Sequence, residues 1–311
     1  MSYNRPPAPL VKLLRNTVLT VLLATSLDVF AETKLIVLGS GTPNPDPSRT
    51  GSAYAVLVND QAYLVDFGPG VVRSATSLSP TWGGEFEELE AKNLEYAFLT
   101  HIHSDHSAGL SDLILTPWVL GRERPLKLFG PPQLAKMAEH IKIAYEDDIN
   151  YRINGSQPSN PEGYKTLFIQ NKEGIVFKDS NVTVRAFKVN HGELSDSYGY
   201  TFITDDKKIV FSGDTAISDT LIKEARDADI LIHEVFSEEG FQKKTKDWKT
   251  YHKAHHTSSV EVGLIANEAK PKKLVLSHIL FWGASKGSIL KDVRLNFTGE
   301  TILAEDLMVI D

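Results

Sequence analysis

Residues 98–110 read FLTHIHSDHSAGL, a short apolar run that ends at Thr100 and is followed at once by His101, His103, Asp105 and His106. In an extended segment, alternation puts His101 and His103 on one side, so that two nitrogens face one ion. Asp105 and His106 lie just past the turn and reach a second position, so one loop can serve two metal ions. Zinc takes about four ligands, drawn from neutral imidazole nitrogens, carboxylate oxygens or thiolates. The chain has no cysteine, which removes thiolate from every candidate site. The loop supplies two ligands per ion, and the others must come from elsewhere.

Three distant residues share one setting, the C-terminal end of an expected strand. His191 closes VTVRAFKVNH, Asp214 closes KKIVFSGD and His278 closes KKLVLSH. A ligand placed there sits on a rigid element yet points into a cleft. The plainer readings are a capping or core role for His191, and for Asp214 the N-cap of the helix that starts nearby. The end of a buried strand favours ligation over both.

Outward from these positions the pattern is regular. Strands are expected at Leu35–Leu38, Tyr54–Val58, Ala62–Asp66, Tyr96–Leu99 and Leu126–Phe129, then at Val182–Lys188, Tyr198–Thr204, Ile209–Phe211, Ile230–Ile232 and Leu274–Leu276. Helical periodicity is clearest at Pro132–Tyr145, Ser218–Ala228 and Ser258–Ala269. Strands in two batches, each followed by helices, predict an α/β fold: two sheets face to face with helices outside, a four-layered αββα sandwich. Tyr145–Glu173 has little periodicity and is expected to be a loop-rich insertion within one domain, residues 32–311.

The first 31 residues differ from the rest. Arg5, Lys12 and Arg15 precede the apolar run VLTVLLATSL (Val18–Leu27), and Val29 and Ala31 supply small residues before a cut. That order predicts a secretory signal peptide over residues 1–31 and a periplasmic or secreted protein. The run is about half of the ~20 residues a membrane anchor needs. Cleavage leaves 30 Lys and Arg against 39 Asp and Glu, a net charge of −9. An acidic chain is poorly suited to a polyanion, because nucleic-acid affinity comes largely from Lys and Arg on phosphates. Without disulfides, an exported chain of this kind depends on its core and any bound metal. Ser40-Gly41-Thr42 is not followed by Gly-Lys-Ser/Thr, and no GxGxxG enters a helix, which excludes the nucleotide-binding folds.

HxHxDH, a strand-end histidine, SGDT and a late strand-end histidine together resemble the metallo-β-lactamase superfamily, and most closely its ribonuclease Z/arylsulfatase-like branch. VLGSGTPNPDPSRTGSAYAV resembles that branch's opening glycine loop, LIHEVF its His-Glu motif and HTSSVEVGLIANEA its later histidine motif, so the likeness runs over Lys34–Asp311. The resemblance implies that His101, His103 and His191 hold one zinc ion, that Asp105, His106 and His278 hold a second, and that Asp214 bridges them. Manganese or iron would suit the same donors. Two such ions roughly 3.5–4 Å apart share a water and bring its pKa from about 15.7 towards neutrality.

For the leaving group the resemblance offers His256 as general acid, oriented and charged by Glu234, with Asp105 counted beside them among the catalytic groups. HHT presents both His255 and His256, and only the alignment of TSSVEVG selects the second. Asp66 in VDFGPG either accepts the other N–H of a ligand histidine or is a plain turn residue. His233 reads as an outer partner or core residue, and His140 and His252 as structural or solvated. The cleft walls are expected from Trp118, Tyr145–Glu173 and Phe281–Trp282.

Three functions remain open. The first is an exported hydrolase of small phosphate or sulfate esters, with nucleic acid not expected as a partner. The second is ribonuclease Z-type tRNA 3′ processing; against it stand export, the acidic balance and the absence of a basic Gly/Pro-rich arm in Tyr145–Glu173. The third is a catalytically silent metal-binding protein, which seven filled ligand positions disfavour. Similar proteins are commonly homodimers, so a homodimer is expected.

Overall fold

The computed structural model describes residue 1 and residues 32–311; the expected signal peptide lies outside the described residues. Among the described residues, fourteen strands form two seven-stranded mixed sheets. The first holds β1 (Lys34–Gly39), β2 (Ala53–Val58), β3 (Gln61–Val65), β4 (Tyr96–Phe98), β5 (Leu126–Gly130) and β6 (Thr166–Gln170), in that spatial order. The second runs from β7 (Gly174–Lys178) through β8 (Thr183–Lys188), β9 (Tyr198–Ile203), β10 (Lys208–Phe211) and β11 (Ile230–Phe236) to β12 (Lys273–Leu280) and β13 (Glu300–Leu303). The last strand, β14 (Val309–Ile310), returns to flank β1 in the first sheet.

Alternation along the strands explains the layering. In β1, Leu35 and Val37 enter the core between the sheets, while Ile36 and Leu38 face a second core under helices. Both faces are buried, so the strands read as near-continuous apolar runs. Helices Val71–Ser77, Leu110–Val119 and Gln133–Ala144 cover the outer face of the first sheet. Asp219–Ala225, Ser259–Ala269 and Lys286–Val293 cover that of the second. This is the αββα sandwich expected from the sequence.

Between the sheets, Phe98 stacks on Phe129 (4.4 Å between ring centroids) and meets Tyr200 and Phe202 edge-on at 5.6 and 5.4 Å. Tyr200 donates from Oη to the Leu99 carbonyl at 2.7 Å, which joins the sheets beside the chain that leads into His101.

Three expectations need correction. Tyr145–Glu173 contains the helix Glu146–Asn154 and strand β6; its acidic first turn (Glu146, Asp147, Asp148) suits a helix N-terminus, a signal hidden by the weak apolar stripe. Strands β6, β7, β13 and β14 were not foreseen, because half-exposed edge strands lack a clean apolar pattern. His278 does not end its strand: β12 continues to Leu280. Among the described residues no helix is long and apolar enough to cross a membrane.

Candidate metal centre

The HIHSDH turn leaves the end of β4 and winds into one short helix, Ser104–Ser107. His101 is fully buried, and its Nε2 lies 3.0 Å from His103 Nδ1. His191 Nε2 approaches the same His103 nitrogen at 3.2 Å. Three imidazoles from two sheets therefore converge, and Asp214 joins them, with Oδ2 3.8 Å from His101 Nε2. Beside this group stands a second. His278 Nε2 is 3.0 Å from Asp105 Oδ2, and His106 Nε2 is 3.5 Å from the same oxygen. Asp214 faces both groups: Oδ1 is 3.5 Å from His106 Nε2, and Oδ2 is 3.6 Å from His278 Nε2. All seven expected positions come together.

The backbone shows how the second sheet reaches the cluster. Asp214 lies three residues past β10 and follows Gly213, whose φ of +60° a side chain would strain; a Cβ there would also sit 2.8 Å from the Tyr198 carbonyl oxygen. His191 lies three residues past β8. His278 is the extra residue of a β-bulge: Ser277 pairs with Glu234 and Ile279 with Val235, leaving His278 between them at φ +46°. A bulge of this kind re-aims one side chain without ending the strand. Asp214 does not cap the helix after it; Ser218 does, its side chain accepting from Leu221 N.

Outer partners fix the tautomers. His106 Nδ1 donates to Asp66 Oδ2 at 2.7 Å, so its Nε2 carries a lone pair. Thr100 donates to the Asp66 carboxylate through N and Oγ1 at 2.8 and 2.9 Å, and Oγ1 accepts from His101 Nδ1 at 3.0 Å. His191 Nδ1 donates to the His255 carbonyl at 2.8 Å. Three Nε2 lone pairs therefore point inward. His106 Nε2 and Asp214 Oδ1 are buried with no hydrogen-bond partner among the described residues. Converging lone pairs and carboxylates repel one another unless a cation lies among them. Nitrogen and carboxylate donors without sulfur are the chemistry of a divalent metal site.

The electrostatics agree. Burial pushes the His101 imidazole well below its ordinary pKa and that of His191 to about 4, keeping both neutral and able to ligate. Burial would also lower His106, but Asp214, Asp105 and Asp66 outweigh it and hold it well above its ordinary value. Without a cation that negative charge holds a proton on His106 Nε2, and a divalent ion would displace it to reach the lone pair.

Glu234 and His256 form the next layer. Glu234 Oε1 accepts from Thr257 N at 2.8 Å, while Oε2, otherwise unpartnered among the described residues, faces His256 Nδ1 at 3.4 Å. Burial first, then Asp214, pushes the Glu234 carboxyl well above its ordinary pKa; burial lowers His256 to about 4. Both directions favour a protonated carboxyl beside a neutral imidazole. His255 turns elsewhere, with Nδ1 on the Tyr251 carbonyl at 2.8 Å and Nε2 3.2 Å from Glu193, which separates the two members of HHT. His233 is buried with Nδ1 on its neighbour's carbonyl, and His140 is exposed.

A cleft of about 350 Å³ opens onto this centre, floored by His103, Asp105, Asp214, His256 and His278. Its walls include Trp248, Tyr251, His252 and Trp282, with Lys244 beside them. Of the expected wall residues Trp282 is there. Trp118 is not: it is buried, its Nε1 donating to the Asn160 carbonyl at 2.7 Å. Tyr145–Glu173 contributes none of the lining. Thr100, Trp248 and Tyr251 escaped sequence reasoning; the last two sit on the helix Lys246–His255, whose lysines gave it the look of a solvated stretch.

Residues 61–279 match the family model described as Beta-lactamase superfamily domain. Ribonuclease Z of Mycobacterium bovis (strain BCG / Pasteur 1173P2) is 32% identical over 253 residues, covering 79% of this chain and 85% of that protein. The chain belongs to the metallo-β-lactamase superfamily, in its ribonuclease Z branch. Two solved structures share the superfamily fold. The metallo-β-lactamase fold protein YhfI from Bacillus subtilis has a TM-score of 0.67 at 22% identity, covering 90% of this chain and 100% of that one. Human tRNase Z, short form, has a TM-score of 0.63 at 24% identity, covering 89% and 98%. Members of this superfamily branch are metal-dependent hydrolases, and the chain is an enzyme of that class acting on ester or phosphodiester bonds.

Proposed function

We propose that the protein is a phosphodiesterase that uses two divalent cations, most readily zinc. His101, His103 and His191 would hold one and Asp105, His106 and His278 the other, with Asp214 placed within reach of both groups. The observation that carries this reading is the Asp214 carboxylate, whose Oδ2 lies between His101 and His278 of the two groups while Oδ1 faces His106. Such a pair of cations supplies an acidified water and neutralises charge developing on phosphoryl oxygens. The chain's own residues do the rest. Asp66, Thr100 and the His255 carbonyl keep the ligand imidazoles in the neutral, inward-facing tautomer. His256, lining the cleft, protonates the departing oxygen, and Glu234 returns the proton through His256 Nδ1.

The relatives favour an RNA chain as the substrate, which reverses the order expected from the sequence. A protein named Ribonuclease Z at 32% identity, matched over 85% of its length, supports cleavage of a phosphodiester in RNA. A small phosphodiester remains the second reading, supported by the chain's net charge of −7 and by the export signature of residues 1–31. The deciding experiment loads the purified chain with zinc and compares precursor tRNA, bis(p-nitrophenyl) phosphate and an aryl sulfate. Phosphodiester turnover lost in His103→Ala supports the proposal. Zinc binding without turnover of either phosphodiester sinks it. N-terminal sequencing of the native protein tests export: a chain retaining residues 1–31 removes that support from the small-ester reading.

A further inference from the structure

The metal ligands floor the cleft, but they do not account for its walls. Trp248 is 55% exposed and Tyr251 37%, although both belong to a structured helix and neither completes a core. Their rings are braced from behind. Trp248 stacks on His252 at 5.5 Å with 20° between planes, and His252 meets Trp282 at 4.4 Å. Trp282 in turn packs on Phe236 at 5.6 Å, and Phe236 stacks on Phe241 at 4.9 Å. The outermost rings are therefore held in place before any ligand arrives, which lowers the ordering cost of binding. Lys244 Nζ lies 4.3 Å from the Trp282 ring centroid, and residues 243–253 carry five lysines against one aspartate in a chain that is acidic as a whole. A rigid aromatic face beside local positive charge, continuous with a phosphodiesterase centre, fits a ligand that is planar at one end and anionic at the other.

We propose that Trp248, Tyr251 and Trp282 form a subsite on which a planar ring carried by one ester substituent stacks while the phosphate sits over the histidine–aspartate floor. The inference rests on the phosphodiesterase reading and adds a specificity-determining wall to it. The ring can belong to a nucleobase or to a simple aryl group, which share the same stacking chemistry.

The test is calorimetric titration of the zinc-loaded full chain with adenosine 5′-monophosphate, phenyl phosphate and ribose 5-phosphate. A ring-bearing phosphate should bind about tenfold more tightly than ribose 5-phosphate, the size of one stacking contact. That advantage should vanish in Trp248→Ala and return in Trp248→Phe, which restores a stacking face at a half-exposed position. Preference for adenosine monophosphate over phenyl phosphate identifies a nucleobase, and the opposite preference an aryl group. Equal binding of all three overturns the subsite, as does a ring advantage that survives both Trp248→Ala and Trp282→Leu. Because binding is read directly, the two readings fail separately. A ring advantage without turnover of either precursor tRNA or bis(p-nitrophenyl) phosphate removes the phosphodiesterase reading alone; turnover of either without a ring advantage removes the subsite.

Discussion

The two sheets contribute to the centre in opposite ways. The first delivers His101, His103, Asp105 and His106 from one turn after β4, where short spacing alone brings them together. The second delivers three residues singly, from beyond β8, beyond β10 and within β12. Two of these lean on unusual backbone, Gly213 before Asp214 at φ +60° and His278 itself at φ +46°. A local cluster is written in the sequence as a motif, whereas a distributed one exists only when the sheets pack. The sharpest way to break that contrast is at Asp214, the residue from the second sheet that touches both groups. Asp214→Ala should reduce phosphodiester turnover by more than about a thousandfold, beyond the 10–100-fold typical of losing an outer partner. It should also lower bound metal per chain, read by atomic absorption. Retention of both ions with near-normal turnover would show that the groups are independent.

The next effect separates ligation from proton transfer. His256→Ala should cut turnover about 10²–10⁴-fold, the usual range for a lost general acid, while leaving metal content unchanged. A matching loss of metal would move His256 into the ligand set, where its proximity to Asp214 and His278 makes it a geometric candidate. On the side of the first sheet, Asp66→Ala should weaken metal binding about 10–100-fold by freeing the His106 tautomer. Unchanged affinity would mean that the turn needs no support from β3.

This contrast also explains what could be read without coordinates. The four-layer fold was legible because both faces of most strands are buried, so apolar runs such as those around Leu35–Leu38 and Ile230–Ile232 stand out. The convergence of seven candidate ligands was legible through the spacing of HIHSDH and, by resemblance, through the order of the strand-end histidine, SGDT and the later histidine. The edge strands were not, since half-exposed residues in β6 and β7 carry mixed polarity. Nor was the bulge at His278, where a one-residue pairing defect leaves no compositional trace. The aromatic wall was hidden for another reason: in the Lys246–His255 helix three lysines alternate with the rings, and those rings are assigned to a cleft only once Trp282 arrives from β12's far end.

A separate effect concerns stability, and it isolates a histidine that belongs to neither group. His233 lies in β11 with its ring fully buried, and burial lowers its pKa to about 4 from an unfolded value near 6.5. Between those values the unfolded chain takes up a proton that the folded chain refuses, so stability is fully present above about pH 6.5 and falls as the pH drops towards 4. The shift corresponds to about 3 kcal/mol across that window. His191 and His256 are lowered to about 4 in the same way, so a single melting curve against pH cannot assign the slope. The difference between the wild type and His233→Asn can. In chelator-treated protein, the variant should be less stable at pH 7, having lost a packed imidazole, yet should lose less stability than the wild type on going to pH 4.5. Parallel curves would mean that the buried ring finds a proton-accepting partner in the folded state, and that the strand beneath Glu234 is more open to water than its packing shows.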